Sequence, residues 1–323
     1  MKHFLLAVLI GVGTLLPMAA DAAEIPTVWV QEFPKTDFAT SSVDFAEIFS
    51  GGPPRDGIPA IDAPTFAPLA RIETLADTEP VIGLVINGVA KAYPLRIMMW
   101  HEIVNDEIAG VPVTVTYCPL CNSAVVFDRR IDGRLLDFGT TGRLRFSDLV
   151  MYDRQTESWW QQFLGEAIIG ELTGTQLKTL PARLESFAAF KQRAPDGMVL
   201  VPNGRHARDY GRNPYEYYDS RTQPYAFFDG PLPTDINPMA RVIVVDGQAW
   251  AMTLLRDKGT IQDQGLTLTW TPGQNSALDS GDISKGRDVG NVTVTKDGQD
   301  TPYDITFAFA YKAFYAEGVV RVE

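Results

Sequence analysis

The sequence has few of the residues that usually carry metal or nucleophilic chemistry, with two cysteines and three histidines among 323 residues. It also lacks a phosphate-binding loop, a dinucleotide-binding glycine fingerprint and a Ser-His-Asp signature. Basic residues are outnumbered by acidic ones, 28 to 40, and the net charge of −12 would repel phosphate backbones and anionic lipid. We therefore expect neither nucleic acid nor a membrane surface as a partner.

Long apolar runs are missing as well once the first residues are passed, so no membrane span is expected. Lys2 and His3 precede an apolar run over residues 4–16, and Ala20-Asp21-Ala22 offers a small-x-small cleavage site. This pattern predicts a signal peptide over residues 1–22 with cleavage near Ala22. The mature protein is therefore expected in the periplasm or outside the cell, where unprotected thiols tend to oxidise.

Strand patterns dominate the remaining chain. Asn87-Gly88 between two apolar runs predicts a β-hairpin over residues 81–92, and helical spacing follows over residues 95–105. Residues 111–117 and 124–127 alternate as strands do, which places the cysteines in a strand-to-strand knuckle. We expect an α+β, mostly β fold of short antiparallel strands with a few short helices.

Two stretches of the chain resemble each other. Residues 113–119 (VTVTYCP) are matched by residues 266–272 (LTLTWTP), and in both copies Asn-Ser-Ala follows after two intervening residues. We therefore expect two related halves, of which only the first carries the cysteines. The expected organisation is a signal peptide (1–22), a loop-rich N-terminal segment (23–80), a first half with the Cys-x-x-Cys knuckle (81–202), an aromatic loop region (203–235) and a second, degenerate half (236–323).

Several segments together resemble one known family. They are residues 87–95 (NGVAKAYPL), 100–106 (WHEIVND), 117–121 (YCPLC), 151–158 (MYDRQTES) with Trp160, and 165–174. In these segments the chain resembles domain-of-unknown-function family 3179, over most of its mature length. The resemblance implies an exported prokaryotic protein and supplies no activity. One departure is Asn122, which stands where the family has glycine after the second cysteine.

The Cys118-x-x-Cys121 pair is the strongest chemical signal. Two thiolates at this spacing suit one soft metal ion, and they also suit reversible disulfide formation. A merely structural disulfide is the third possibility, although a loop this short would stabilise the fold by only about 2 kcal/mol. Residues 122–127 look extended, which argues against a thioredoxin-like helix after the pair.

A metal site would need more ligands than the two cysteines. A tetrahedral zinc site takes four, so His101 is the candidate third ligand, whereas a copper(I) ion accepts two thiolates and a thioether such as that of Met151. Glu102 and Asp153 are further supporting candidates, because a carboxylate can hold a histidine or bind a ligand. The alternatives are a hydrogen-bonded core histidine at position 101 and a turn-building role for Asp153.

These features lead to two functional hypotheses. The first is a metal-handling or thiol-redox protein centred on Cys118 and Cys121, with a copper or zinc ion as the cofactor and a periplasmic redox or metal-delivery protein as the partner. The second is a non-catalytic module that binds a ligand or partner through the aromatic loops between Tyr210 and Phe228, with a structural Cys118-Cys121 disulfide. The sequence names no catalytic residue and no substrate.

Overall fold

The computed structural model describes residues 25–204 and 208–323. The expected signal peptide over residues 1–22 and the third histidine, His206, lie outside the described residues. Within the described residues, no helix has both the length and the apolar character that crossing a bilayer requires.

Short strands make up most of the regular structure. The α-helices in the described part of the chain are α1 (Thr27–Glu32), α2 (Leu95–His101), α3 (Phe187–Arg193), α4 (Met252–Lys258) and α5 (Ala308–Phe314). The strands in chain order are β1 (Ile48–Ser50), β2 (Thr65–Pro68), β3 (Pro80–Ile86), β4 (Val89–Pro94), β5 (Ile103–Ile108), β6 (Val111–Cys118), β7 (Ser123–Asp128), β8 (Arg130–Ile131), β9 (Arg134–Leu135), β10 (Phe138–Arg145), β11 (Asp148–Asp153), β12 (Trp159–Gln161), β13 (Glu166–Ile169), β14 (Arg183–Ser186), β15 (Met198–Val201), β16 (Arg241–Val245), β17 (Gln248–Ala251), β18 (Thr260–Asp263), β19 (Leu266–Thr271), β20 (Asn291–Lys296), β21 (Gln299–Asp300), β22 (Asp304–Phe307) and β23 (Val320–Arg321).

Over the described ranges, these strands form five small sheets in a five-bladed β-propeller arrangement, with β8 and β9 as a separate two-stranded ribbon. The strand orders are β1-β10-β11-β12-β13, β14-β3-β4-β15-β2, β22-β16-β17-β23, β18-β19-β20-β21 and β5-β6-β7. Neighbouring strands are antiparallel except for the pairs β4-β15 and β17-β23, which are parallel. The cysteine knuckle belongs to the three-stranded blade β5-β6-β7.

The expected α+β fold of two related halves is wrong. The protein is mostly β with a few short helices, but its described strands are distributed over five blades rather than two halves. Short alternating segments bounded by turns recur throughout a propeller, because each blade buries its faces against neighbouring blades. Similarity between two such segments, as between residues 113–119 and 266–272, therefore does not define two halves of a molecule.

The local predictions around the knuckle are confirmed, apart from the length of the helix. β3 and β4 form the predicted hairpin, and its turn residues Asn87 and Gly88 both have positive φ, at 49° and 80°. Helix α2 is shorter than its pattern suggested, because Glu102 takes a φ of 59° and ends it before β5 begins. The strands flanking the cysteines are β6 and β7, as predicted.

Both loop-rich segments pack onto this framework. From the N-terminal segment, β1 pairs with β10 and the Trp29 and Phe33 rings pack against Trp159 of β12. From the aromatic loop region, Tyr218 is fully buried and stacks on Tyr225, with 4.5 Å between ring centroids. These aromatic side chains extend the hydrophobic core outward from the sheets.

Candidate functional site

A tight turn at the end of β6 presents the two cysteines. Cys118 is the last residue of β6 and pairs with Ser123, the first residue of β7. The turn closes with a hydrogen bond from the Asn122 N–H to the Pro119 carbonyl, 3.2 Å long, and Asn122 has a φ of 54°. Asparagine tolerates this left-handed region better than most residues with a side chain, which accounts for its place in the turn.

Strand β22 fixes the turn from the far end of the chain. The Asn122 side-chain amide donates to the Ile305 carbonyl at 2.8 Å, and the Ala124 N–H donates to Asp304 Oδ1 at 2.9 Å. In return, the Thr306 hydroxyl and the Phe307 N–H both donate to the Cys121 carbonyl, at 2.8 and 3.1 Å. The backbone around the cysteines is therefore held on two sides by a strand about 180 residues away.

Asp148 completes a cluster of three buried ligand atoms. The sulfurs of Cys118 and Cys121 and a carboxylate oxygen of Asp148 all lie within 4.8 Å of one another. Asp148 opens β11 directly after a tight turn whose residues Phe146 and Ser147 both have positive φ. The same turn places the Ser147 carbonyl 3.5 Å from the Cys118 sulfur, which donates to it. Both cysteines are free thiols.

The Asp148 carboxylate has one bonded and one unbonded oxygen. Oδ2 accepts hydrogen bonds from the Gln161 side-chain amide at 2.5 Å and from the Phe163 N–H at 2.9 Å. Oδ1 is buried and accepts no hydrogen bond from a nitrogen or hydroxyl donor in the part of the chain that the structure describes, while the Cys118 thiol is close enough to the carboxylate to act against the rise in its pKa. Burying an oxygen of this kind lowers the stability of the folded protein unless the oxygen accepts a hydrogen bond or binds a cation.

Burial controls the protonation of every acid at this site. Removal from water raises the pKa of Asp148 to about 7, that of Asp304 to about 6 and that of Glu102 to about 8. The same effect raises the pKa of the Cys118 thiol, and that of the Cys121 thiol well above its usual range. The two thiols therefore keep their protons at neutral pH until a positive charge replaces them, whereas Asp148 is about half ionised at pH 7.

Glu102 and two tyrosines lie close to the cluster. The carboxyl of Glu102 is close enough to Asp148 for the charge of Asp148 to raise the pKa of Glu102. It is also close enough to Cys118 for its own charge to raise the pKa of that thiol. Tyr215 is partly buried beside Glu102 and Cys118, whereas the hydroxyl of Tyr218 is buried beside both cysteines. That hydroxyl lacks a hydrogen-bond partner among the described residues.

His101 and Asp153, which were also named from the sequence, are not members of the three-atom cluster. His101 is buried, with Nδ1 2.7 Å from the Pro59 carbonyl and Nε2 2.7 Å from the Tyr210 hydroxyl. This is the hydrogen-bonded core histidine of the alternative interpretation. Met151 is buried in β11 opposite Trp160, and its part in a metal site stays a prediction.

Asp153 builds a turn. It accepts from the Thr156 N–H at 2.6 Å, from the Thr156 hydroxyl, and from the Trp160 indole N–H at 3.0 Å. Its carboxylate therefore fixes the loop between β11 and β12, as the turn-building alternative supposed.

Sequence reasoning missed Asp148 and Asp304. No fixed spacing links them to the Cys-x-x-Cys pair, because propeller blades bring together residues that are distant in the chain. The one local signal was the Phe-Ser-Asp sequence at positions 146–148, where a polar residue begins a strongly apolar strand.

Comparison with known proteins gives one match. The family model described as "Protein of unknown function (DUF3179)" matches residues 55–318, which include every strand of the cysteine blade and all three clustered ligands. Neither the curated proteins nor the solved structures provide a match to this chain.

Proposed function

The chain belongs to the DUF3179 family of proteins of unknown function, and we propose that it handles a thiophilic metal ion at Cys118, Cys121 and Asp148. The observation that supports this proposal is the convergence of two sulfurs and one carboxylate oxygen within 4.8 Å, all of them buried. We place this role in the periplasm or outside the cell, where a metal-delivery protein would be its partner.

The donor set fits a borderline metal ion. Sulfurs bound to one tetrahedral zinc ion lie about 3.8 Å apart, given metal–sulfur bonds of about 2.3 Å. Ligand atoms that are within 4.8 Å therefore need to move by about 1 Å or less. Two thiolates with a carboxylate favour zinc over copper(I), which prefers sulfur alone. The unbonded Oδ1 of Asp148 is the oxygen available for such a bond.

Burial favours metal binding over disulfide exchange. An exchange partner must bring its own sulfur to the attacking thiol, but Cys118 is 2% exposed and Cys121 is fully buried. Their raised pKa values also disfavour the thiolate that attacks. A metal ion is small, and its charge stabilises both thiolates at once, so burial is a smaller obstacle to it.

The proposal can be tested by native and denatured intact mass of protein purified without chelator or reductant. We expect a denatured mass with both thiols reduced and a native mass that includes a metal ion. Cys118→Ser with Cys121→Ser should remove the adduct while the protein stays folded. Asp148→Asn should weaken binding, whereas Asp153→Asn, which changes a buried aspartate at the other end of β11, should not.

Two outcomes would contradict a metal site. One is a wild-type protein that binds neither zinc nor copper(I) when these are added to the reduced form. The other is an adduct that survives in the double serine variant. His101→Gln tests the metal ligand that was predicted from the sequence against Asp148, which is proposed here. If His101→Gln loses the metal and Asp148→Asn keeps it, His101 is the ligand.

Thiol redox work is the second candidate, and the proximity of the two sulfurs favours it. The Cys118 thiol lies within hydrogen-bonding reach of Cys121, so oxidation to a disulfide requires a small movement. A denatured mass about two units below the reduced value, without metal in the native spectrum, would select this candidate and direct attention to its reduction potential.

A further inference from the structure

A cavity of about 290 Å³ lies beside the first turns of α4, and three arginines line it. Arg241 opens β16, Arg256 belongs to α4 and Arg287 precedes β20, so three separate elements bring these side chains to one place. None of the three residues of the cysteine cluster lines this cavity. The cavity is therefore a feature of the fold that the proposed metal function does not use.

Arg241 is the buried arginine of the wall, with a side chain that is 8% exposed. Its Nη2 donates to Asp219 Oδ2 and to the Ser276 hydroxyl, both at 2.8 Å. Among the described residues, no acceptor meets its Nη1, and its Nε is buried without a partner. A buried guanidinium with donors left over lowers the stability of the folded protein unless another acceptor reaches it. Nη1 is therefore a donor that is left for a ligand in the cavity.

The charges behind this wall produce a positive field. Arg241 and Arg287 each contact one oxygen of the same buried carboxylate, Asp219, at 2.8 Å, and Arg287 also contacts Asp279 at 2.6 Å. Burial alone would raise the pKa of Asp219, but the charges of the two arginines and the Ser276 hydrogen bond lower it. The field at the buried end of the cavity is therefore positive, although the net charge of the chain is −12.

Arg256 brings another positive charge to the exposed side of the cavity. Its Nε contacts Asp257 at 3.2 Å, but the two side chains are 55% and 69% exposed, and an ion pair of this kind contributes little. The acidic wall residue Asp288 accepts hydrogen bonds from the backbone N–H groups of Gly273 and Gly290, which hold it to its own loop. Arg256 can therefore turn toward an anion that enters the cavity.

We propose that this cavity binds a small organic acid, whose carboxylate lies between Arg241 and Arg256. Met239 and Met252 are buried, Trp270 is partly buried, and together they form an apolar wall for the rest of the ligand. Guanidinium groups match the planar carboxylate, and a few polar groups on a mostly apolar wall are typical of small-molecule sites. An inorganic anion would leave that apolar wall uncovered.

Fluorine NMR titration of the purified protein with para-fluorophenylacetate tests this site. The matched probe is para-fluorophenylacetamide, which has nearly the same shape and no charge. We expect a dissociation constant on the order of 1 mM for the acid, as is usual for a ligand of this size. The amide should bind about tenfold more weakly or worse, because it lacks the charge that the arginines meet.

Three substitutions assign the binding to this cavity. Arg256→Gln should weaken binding of the acid about fivefold and leave binding of the amide unchanged. Arg241→Lys keeps a charge beside Asp219 but removes Nη1, and it should also weaken binding of the acid. Thr253→Trp places a bulky ring at an exposed position of the wall and should abolish binding of both probes.

Lys258→Gln is the matched control. It removes a positive charge from an exposed position of the same helix, outside the cavity wall, and should leave both dissociation constants unchanged. Arg256 and Thr253 are exposed, so their variants keep the test independent of how well Arg241→Lys folds.

Four outcomes would overturn the proposal. Wild-type protein that does not bind the acid, or that binds acid and amide equally, has no carboxylate site here. Binding of the acid that Arg256→Gln leaves unchanged would remove the arginine from the site. Binding that survives in Thr253→Trp would place the probe outside this cavity. Finally, if inorganic phosphate displaces the acid at a concentration below the dissociation constant of the acid, the ligand is an inorganic anion and the organic acid is the wrong class.

Discussion

Replacing Glu102 with glutamine tests whether burial holds the acids around the cysteines in their protonated form. Glu102 is 7% exposed, and burial together with the nearby Asp148 raises its pKa from 4.5 to about 8. Its backbone already has a φ of 59°, and glutamine has the same shape as protonated glutamate, so no new strain is introduced. The substitution removes the ionisable group and little else.

The magnitude follows from the two pKa values. Below pH 4.5, Glu102 is protonated in both the folded and the unfolded chain, and its contribution to stability is fully present. As the pH rises, the unfolded chain releases this proton first, so the free energy of unfolding falls by about 1.4 kcal/mol per pH unit. The loss reaches about 3 kcal/mol at pH 7 and about 5 kcal/mol above the folded pKa of about 8.

Urea unfolding of metal-free, reduced protein at several pH values between 4.5 and 9 measures this effect. The free energy of unfolding of the wild type minus that of Glu102→Gln should decrease steadily as the pH rises. By pH 7 the variant should have gained about 3 kcal/mol of stability relative to the wild type. Glu107→Gln, at an exposed position of β5, is the matched control for the change in net charge. A difference between wild type and Glu102→Gln that does not vary between pH 5 and 8 would refute the reasoning.

Two other substitutions test the packing of the aromatic loop region over the site. Tyr218→Phe removes a buried hydroxyl that has no partner among the described residues, so thermal unfolding of the metal-free protein should show unchanged stability or a gain of about 1 kcal/mol; a clear loss would mean that the hydroxyl is bonded. Asp219→Ala leaves Arg241 buried without the carboxylate that it contacts at 2.8 Å, and urea unfolding should show a loss of about 3–5 kcal/mol. A loss below about 1 kcal/mol would contradict a buried ion pair there.

The residues in and around the cysteine cluster come from three different blades of the propeller. Asp148 comes from the blade β1-β10-β11-β12-β13, the cysteines from β5-β6-β7, and Asp304 from β22-β16-β17-β23. Each blade supplies one or two rigid side chains at its edge, so the ligand geometry depends on blade packing rather than on a flexible loop. The same packing buries Cys118, Cys121 and Asp148.

The sequence by itself determined the local structure around the cysteines. Asn87-Gly88 specified the hairpin of β3 and β4 because both turn positions need positive φ. The alternation of residues 111–117 specified β6 because every second side chain of a β-strand points to the same face of the sheet. The Cys-x-x-Cys pair and the family membership were also readable, since both are carried by contiguous residues.

Only the tertiary structure decided what surrounds the pair. Asn122 and Ile305 meet across 183 residues, and His101 is bonded to Tyr210 across 109. No local pattern encodes such contacts, because burial and blade packing choose them after the strands have formed. For the same reason the similar strand segments suggested two halves, whereas the strands of the described residues form five blades, and Asp148, rather than His101, lies beside the two thiols.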